Sequence, residues 1–342
     1  MRSRLLVGIV AGALLAGTAG AASLESTYAG KTITIVIPYG MGGTYGQYAQ
    51  FMAGHLPRFI PGAPHAIVQS IPGAGGLKGT NYAYSVMPKS GLNMLVPPDS
   101  IIISELLNPQ GARYKSSGFN WLGTVSESNS VIVVSTASGV RTLEEARQKE
   151  VMMGSTGKGS QTFLVPSLLN GLLGTKFKII MGYKGSAGSA LAIERNEIHG
   201  VSLTWNSLRK NRGNWFDKSD YPTKATAIVQ LGFRAEPDLK GVPMAADLVK
   251  TPEEKQIVNF MASLGPIGRG LTLPPGVPKD IVAPLRAAFD RMIVDKRFLA
   301  EAAKRKLDVN PKSGAEVQKI VADIGKMSPA VIERARKLVF GK

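Results

Sequence analysis

No cysteine occurs among the 342 residues. That removes zinc ribbons, disulfide scaffolds, iron–sulfur clusters and thiol catalysis together. Histidine is nearly as scarce: His55, His65 and His199 are the only three, too few for a histidine-rich metal site. No metal, cofactor or catalytic residue is expected. Acidic residues are also few, 24 against 41 Lys and Arg, so the formal net charge is +17. The basic residues are scattered, and the nearest approach to a run is Lys304-Arg305-Lys306. No motif of the DNA- or RNA-binding modules is present. The excess therefore describes a favourable field for small anions, and nucleic acid is not an expected partner.

Long apolar runs are missing too, with one exception. Leu5 through Ala16 is an unbroken apolar or glycine stretch behind Arg2 and Arg4, and Ala19-Gly20-Ala21 follows it. A basic head, a short apolar core and a small-x-small site make a secretory signal, so residues 1–21 are read as a signal peptide. The core is too short to span a bilayer as a mature helix, and a soluble protein outside the cytoplasmic membrane, in the periplasm, is expected. Hydrophobic residues at 44% describe a globular chain whose length suits two lobes.

Beyond Lys31 the chain alternates between β-branched runs and helical spacing, an α/β pattern. Strands are predicted at Ile33–Ile37, Ala66–Ser70, Met94–Val96, Val131–Ser135, Val151–Gly154, Phe177–Ile180, Ile198–Leu203 and Ala225–Leu231. After the first of these, Tyr45, Tyr48, Ala49, Met52, Ala53 and Leu56 recur at helical spacing, with Thr44 as the expected N-cap and His55 on a partly exposed side. Segments 112–131 and 264–278 carry few helical signals, and there the chain is expected to cross between lobes and to return. The expected division is 28–126 with 264–342 as one lobe and 127–263 as the other.

Four strand-to-helix junctions are built from small residues: 38–44, 72–76, 154–160 and 182–189. Loops of this kind let backbone N–H groups converge at the positive end of the next helix, where anions bind. Known phosphate signatures fail. Lys78 stands where the dinucleotide fingerprint needs its third glycine, and Gly157-Lys158 is followed by Gly159 where a phosphate loop needs Ser or Thr. Lys184-Gly185-Ser186-Ala187-Gly188 falls one glycine short of a nucleophile elbow. A secreted serine hydrolase using Ser155, Ser160 or Ser186 is thus an alternative without a convincing base.

In order, the chain carries Pro38-Tyr39 with Gly42-Gly43, then Ile71-Pro72-Gly73-Ala74-Gly75-Gly76, then Gly154-Ser155-Thr156-Gly157 with Gly159-Ser160. Tyr183-Lys184-Gly185, Pro237 to Pro243 and Pro274-Pro275-Gly276-Val277-Pro278 follow. In that order and spacing, from about residue 28 to 342, it resembles the extracytoplasmic solute receptors of the tripartite tricarboxylate transporter family, the Bug receptors. The resemblance implies an α/β, two-lobed periplasmic binding protein fold of the second type, with the ligand cleft between the lobes. It further implies capture of a small organic carboxylate and delivery to the membrane permease subunits of such a transporter.

Carried over by position, the resemblance puts Tyr39, Gly43, Thr44, Gly75 and Gly76 on one side of the ligand. Ser155, Ser160, Gln161, Tyr183 and Ser186 stand on the other. Where many relatives carry an Asp ending the first motif, this chain has Gly46, so an acceptor for a ligand amine or hydroxyl is lost there. Tyr45, Tyr183 and Trp205 instead offer an aromatic wall for a bulky or aromatic carboxylate. A monomer is expected. A ligand-sensing subunit of a signalling system would share the same fold and site.

Overall fold

A computed structural model describes residues 24–218 and 220–341, so the expected signal peptide lies outside the described residues. The chain builds two sheets. The first has six strands: β1 (Thr32–Ile37), β2 (His65–Ser70), β3 (Asn93–Leu95), β4 (Asn120–Thr124), β10 (Gly270–Leu273) and β11 (Lys312–Ser313), ordered β11-β4-β10-β3-β1-β2. The second has five: β5 (Ser130–Ser135), β6 (Val151–Ser155), β7 (Phe177–Met181), β8 (Gly200–Thr204) and β9 (Ala225–Leu231), ordered β7-β6-β8-β5-β9. In each sheet a parallel trio, β2-β1-β3 or β7-β6-β8, is extended by antiparallel pairing to β10 or β5.

Period-two alternation decides which way each strand faces. In β1, Ile33, Ile35 and Ile37 enter one apolar layer with Phe289, while Val36 enters another. In β5, Val131 and Val133 join a layer with Trp205 and Trp215, and Ile132 and Val134 turn the other way. Three layers result. Two cover the outer faces of the separate sheets, and the middle one takes residues from both, including Trp121 of β4 and Met153 of β6. Helix α6 (Pro329–Phe340) contributes Val331, Ala335 and Val339 to this middle layer. Its Arg336 donates to the carbonyls of Leu106 and Leu107, and Phe340 stacks on Phe163 at 5.8 Å.

Three expectations are corrected here. The N-cap of α1 (Thr44–His55) is Gly43, because the chain is still extended there and Thr44 is already helical. His55 is buried, not partly exposed: its ring lies against Phe51 and Phe298, and its Nε2 is 3.0 Å from Glu301. Burial lowers its pKa from the ordinary 6.5, with Glu301 pulling the other way. Strands β4 and β10 replace what reads as featureless sequence. Each is short and interrupted or flanked by glycine, and long-range antiparallel pairing to the other holds it.

Candidate functional site

The carboxyl ends of the parallel strands in both sheets face a common cleft, the place where α/β folds gather ligands. Four helices begin there: α1, α3 (Gln161–Leu173), α4 (Ser186–Glu194) and α5 (Trp205–Arg212). None has an acidic residue in its first turn, and α1, α3 and α4 have no side-chain cap; at α5 the Trp205 and Asn206 N–H groups are taken by the Asn129 carbonyl at 2.9 Å and Ser128 Oγ at 3.1 Å. The peripheral helices Leu143–Gln148, Pro252–Ala262 and Gly314–Ile324 differ, each closing its own N-terminus with a capping box and a glutamate. Three of the cleft helices, α1, α3 and α4, thus leave the partial positive charge of their ends available, while the outer helices neutralise theirs.

Between these ends lies a narrow cavity, partly open to solvent. Its wall includes Tyr39, Gly43, Thr44 and Tyr45 from the first half and Ser160, Gln161 and Ser186 from the second. The two sides meet closely: a Cβ on Gly43 would stand 2.5 Å from Ser186 Oγ. Thr44 Oγ1 donates to Ser207 Oγ at 3.1 Å, and Gln47 Nε2 donates to Asn211 Oδ1 at 2.8 Å. Gly40 N–H donates to the Lys184 carbonyl at 2.8 Å. Ser100 and Ser104 both donate to the Gly159 carbonyl, at 2.6 and 2.7 Å.

Two charged residues that the sequence did not single out complete the wall. Arg269, just before β10, and Asp99, just before helix α2 (Ile101–Leu107), are each 3% exposed. Arg269 Nη1 is 3.5 Å from Asp99 Oδ2, and Nη2 donates to Thr44 at 3.3 Å and to Thr204 at 3.1 Å, one residue from each half. The guanidinium lies 4.0 Å from the centroid of the Tyr45 ring, a cation–π contact. Tyr45 in turn packs on Tyr39 at 4.6 Å, and its hydroxyl accepts the Asp99 N–H at 2.8 Å. Burial raises the Asp99 carboxyl above its usual range, and Arg269 draws it back down. For Arg269, burial works against the charge, but Tyr45 and Asp99 outweigh it and leave the pKa raised.

The remaining expected residues stand elsewhere. Gly75 N–H is taken by the Thr156 carbonyl at 2.9 Å, and Gly76 N–H by the Gly73 carbonyl at 3.0 Å, so this loop seals the two halves together. Ser155 is fully buried behind the wall, bonded to Thr162. Tyr183 packs on the second sheet's outer layer. Trp205 also belongs to that layer, 5.1 Å from the Phe216 ring, with its indole N–H toward Asp238 at 3.5 Å. The aromatic wall is therefore Tyr39 and Tyr45. No histidine lines the cavity. Ser160 Oγ bonds to Thr162 and the Gly157 carbonyl, neither of which is a general base. Among the described residues no cluster of His, Asp or Glu is placed to hold a metal, and no helix is long and apolar enough to cross a membrane.

No protein-family model matches the chain, and no curated protein matches its sequence. Solved structures do match. The periplasmic binding protein BugD is 17% identical with a TM-score of 0.71, over 91% of this chain and 98% of that one. A protein of R. palustris with adipate gives 16%, 0.69, 90% and 97%. MatC from Rhodopseudomonas palustris with bound malate gives 18%, 0.67, 90% and 99%. At such identities the likeness is one of fold, and the fold is the two-lobed α/β architecture of periplasmic binding proteins, as expected from the sequence.

Proposed function

We propose that this chain is an extracytoplasmic solute receptor that captures a small carboxylate between two lobes and passes it to a tripartite tricarboxylate-type permease. The observation that carries this reading is the convergence of three uncapped helix N-termini, α1 from one half and α3 and α4 from the other, on one cavity that also holds a buried guanidinium. Fixed N–H dipoles and Arg269 need no reorganisation when an anion arrives, so little of the binding energy is lost to ordering. Neighbours holding malate and adipate support the class of ligand.

In this reading residues 28–126 with 264–342 form one lobe and 127–263 the other, and hinge motion opens and closes the cleft. Tyr39, Gly43, Thr44 and Tyr45 meet the ligand from one side and Ser160, Gln161 and Ser186 from the other. Gly75 and Gly76 act in closure. Residues 1–21 direct the chain to the periplasm, where it works as a monomer. Native mass spectrometry of the purified protein tests the reading: an organic acid should be released on denaturation. Release of a neutral or cationic compound alone would refute it.

A further inference from the structure

Resting on the carboxylate reading, we propose that the cavity selects acids bearing a hydroxyl or ammonium group on the carbon next to the carboxylate. Arg269 takes the carboxylate and Asp99 takes the neighbouring donor.

Two atoms of these wall residues are left without partners. Arg269 Nε and Asp99 Oδ1 are both buried and make no hydrogen bond. Unsatisfied buried polar atoms are costly, and those of charged groups more so. A ligand that pairs them recovers that cost only on binding. Their chemistry is opposite: a guanidinium offers N–H donors alone, and an ionised carboxylate accepts alone. One end of the ligand must therefore accept and an adjacent group must donate. The two side chains approach to 3.5 Å at Nη1 and Oδ2, so ligand groups that pair with both residues sit close together on one molecule.

Charge points the same way. The Arg269–Asp99 pair is already balanced, so a plain carboxylate has only the helix N-termini to offset its charge and stands beside the Asp99 carboxylate with nothing between them. An α-ammonium carries its own compensation, and an α-hydroxyl gives Asp99 the hydrogen bond it lacks.

Isothermal titration of the full chain, refolded free of co-purified small molecules, tests this with matched triplets. Suitable sets are succinate, malate and aspartate; butanoate, 2-hydroxybutanoate and 2-aminobutanoate; and 3-phenylpropanoate, 3-phenyllactate and phenylalanine. In at least one triplet a substituted acid should bind at least tenfold more tightly than its parent, and Asp99→Asn should reduce that ratio below threefold. A wild-type ratio under tenfold in every triplet overturns the inference while any measurable binding leaves the carboxylate reading standing. An unchanged ratio in a folded Asp99→Asn protein also overturns it. Binding by none of the nine acids sinks both.

Discussion

Arg269 and Asp99 illustrate what single residues conceal. Seven wall residues, Tyr39, Gly43, Thr44, Tyr45, Ser160, Gln161 and Ser186, sit at glycine-rich junctions whose composition marks them as loops at helix starts. Arg269 lies between Gly268 and Gly270 in a segment with no helical signal, and Asp99 follows two prolines. Nothing local distinguishes either from a solvated turn residue; only the antiparallel return of β10 brings one beside the other. The buried pair also sets a stability test. Arg269→Met strands the Asp99 charge and should cost about 3–5 kcal/mol in urea unfolding, and Asp99→Leu a similar amount. The double substitution should recover most of either loss, and strict additivity would show that the two residues are not coupled.

At the level of elements, the eight strands with β-branched runs were legible because burial on one or two faces imposes its own pattern. Strands β4 and β10 were not, since their sequences, Asn-Trp-Leu-Gly-Thr and Gly-Leu-Thr-Leu, are short and gain order from each other across about 150 positions of chain. Trp205 misled for a related reason: an aromatic directly after a strand can wall a cleft or close a core, and here helix α5 turns it into the core. The loop around Gly75 joins the two halves backbone to backbone. Gly75 has φ +70°, and a Cβ there would stand 2.5 Å from the Gly157 carbonyl and 2.7 Å from Ser160 N. Gly75→Ala should therefore hold the halves apart, seen as a larger radius of gyration by small-angle scattering and at least tenfold weaker ligand binding. An unchanged radius with intact binding would show that this contact does not govern closure.

For the molecule as a whole, the middle apolar layer matters most. It draws on both sheets and is completed by helix α6, which packs against α3 in one half and against α2 in the other. Removing residues 329–342 should expose the apolar faces of α3 and α2 that this helix covers and abolish the cooperative thermal transition, with dye binding to apolar surface at room temperature. A sharp transition retained by the shortened chain would mean that each half is stable without the helix.

Order of synthesis turns the same helix into a timing device. Both sheets leave the ribosome before residue 329, yet the layer they share cannot be completed until the helix that seals it has followed. A nascent chain therefore carries sticky, half-assembled leucine and valine surface through nearly its whole production. Under the periplasmic reading proposed above, in which the chain would thread a translocation channel unfolded, such late completion is an advantage, because premature compaction would block its passage.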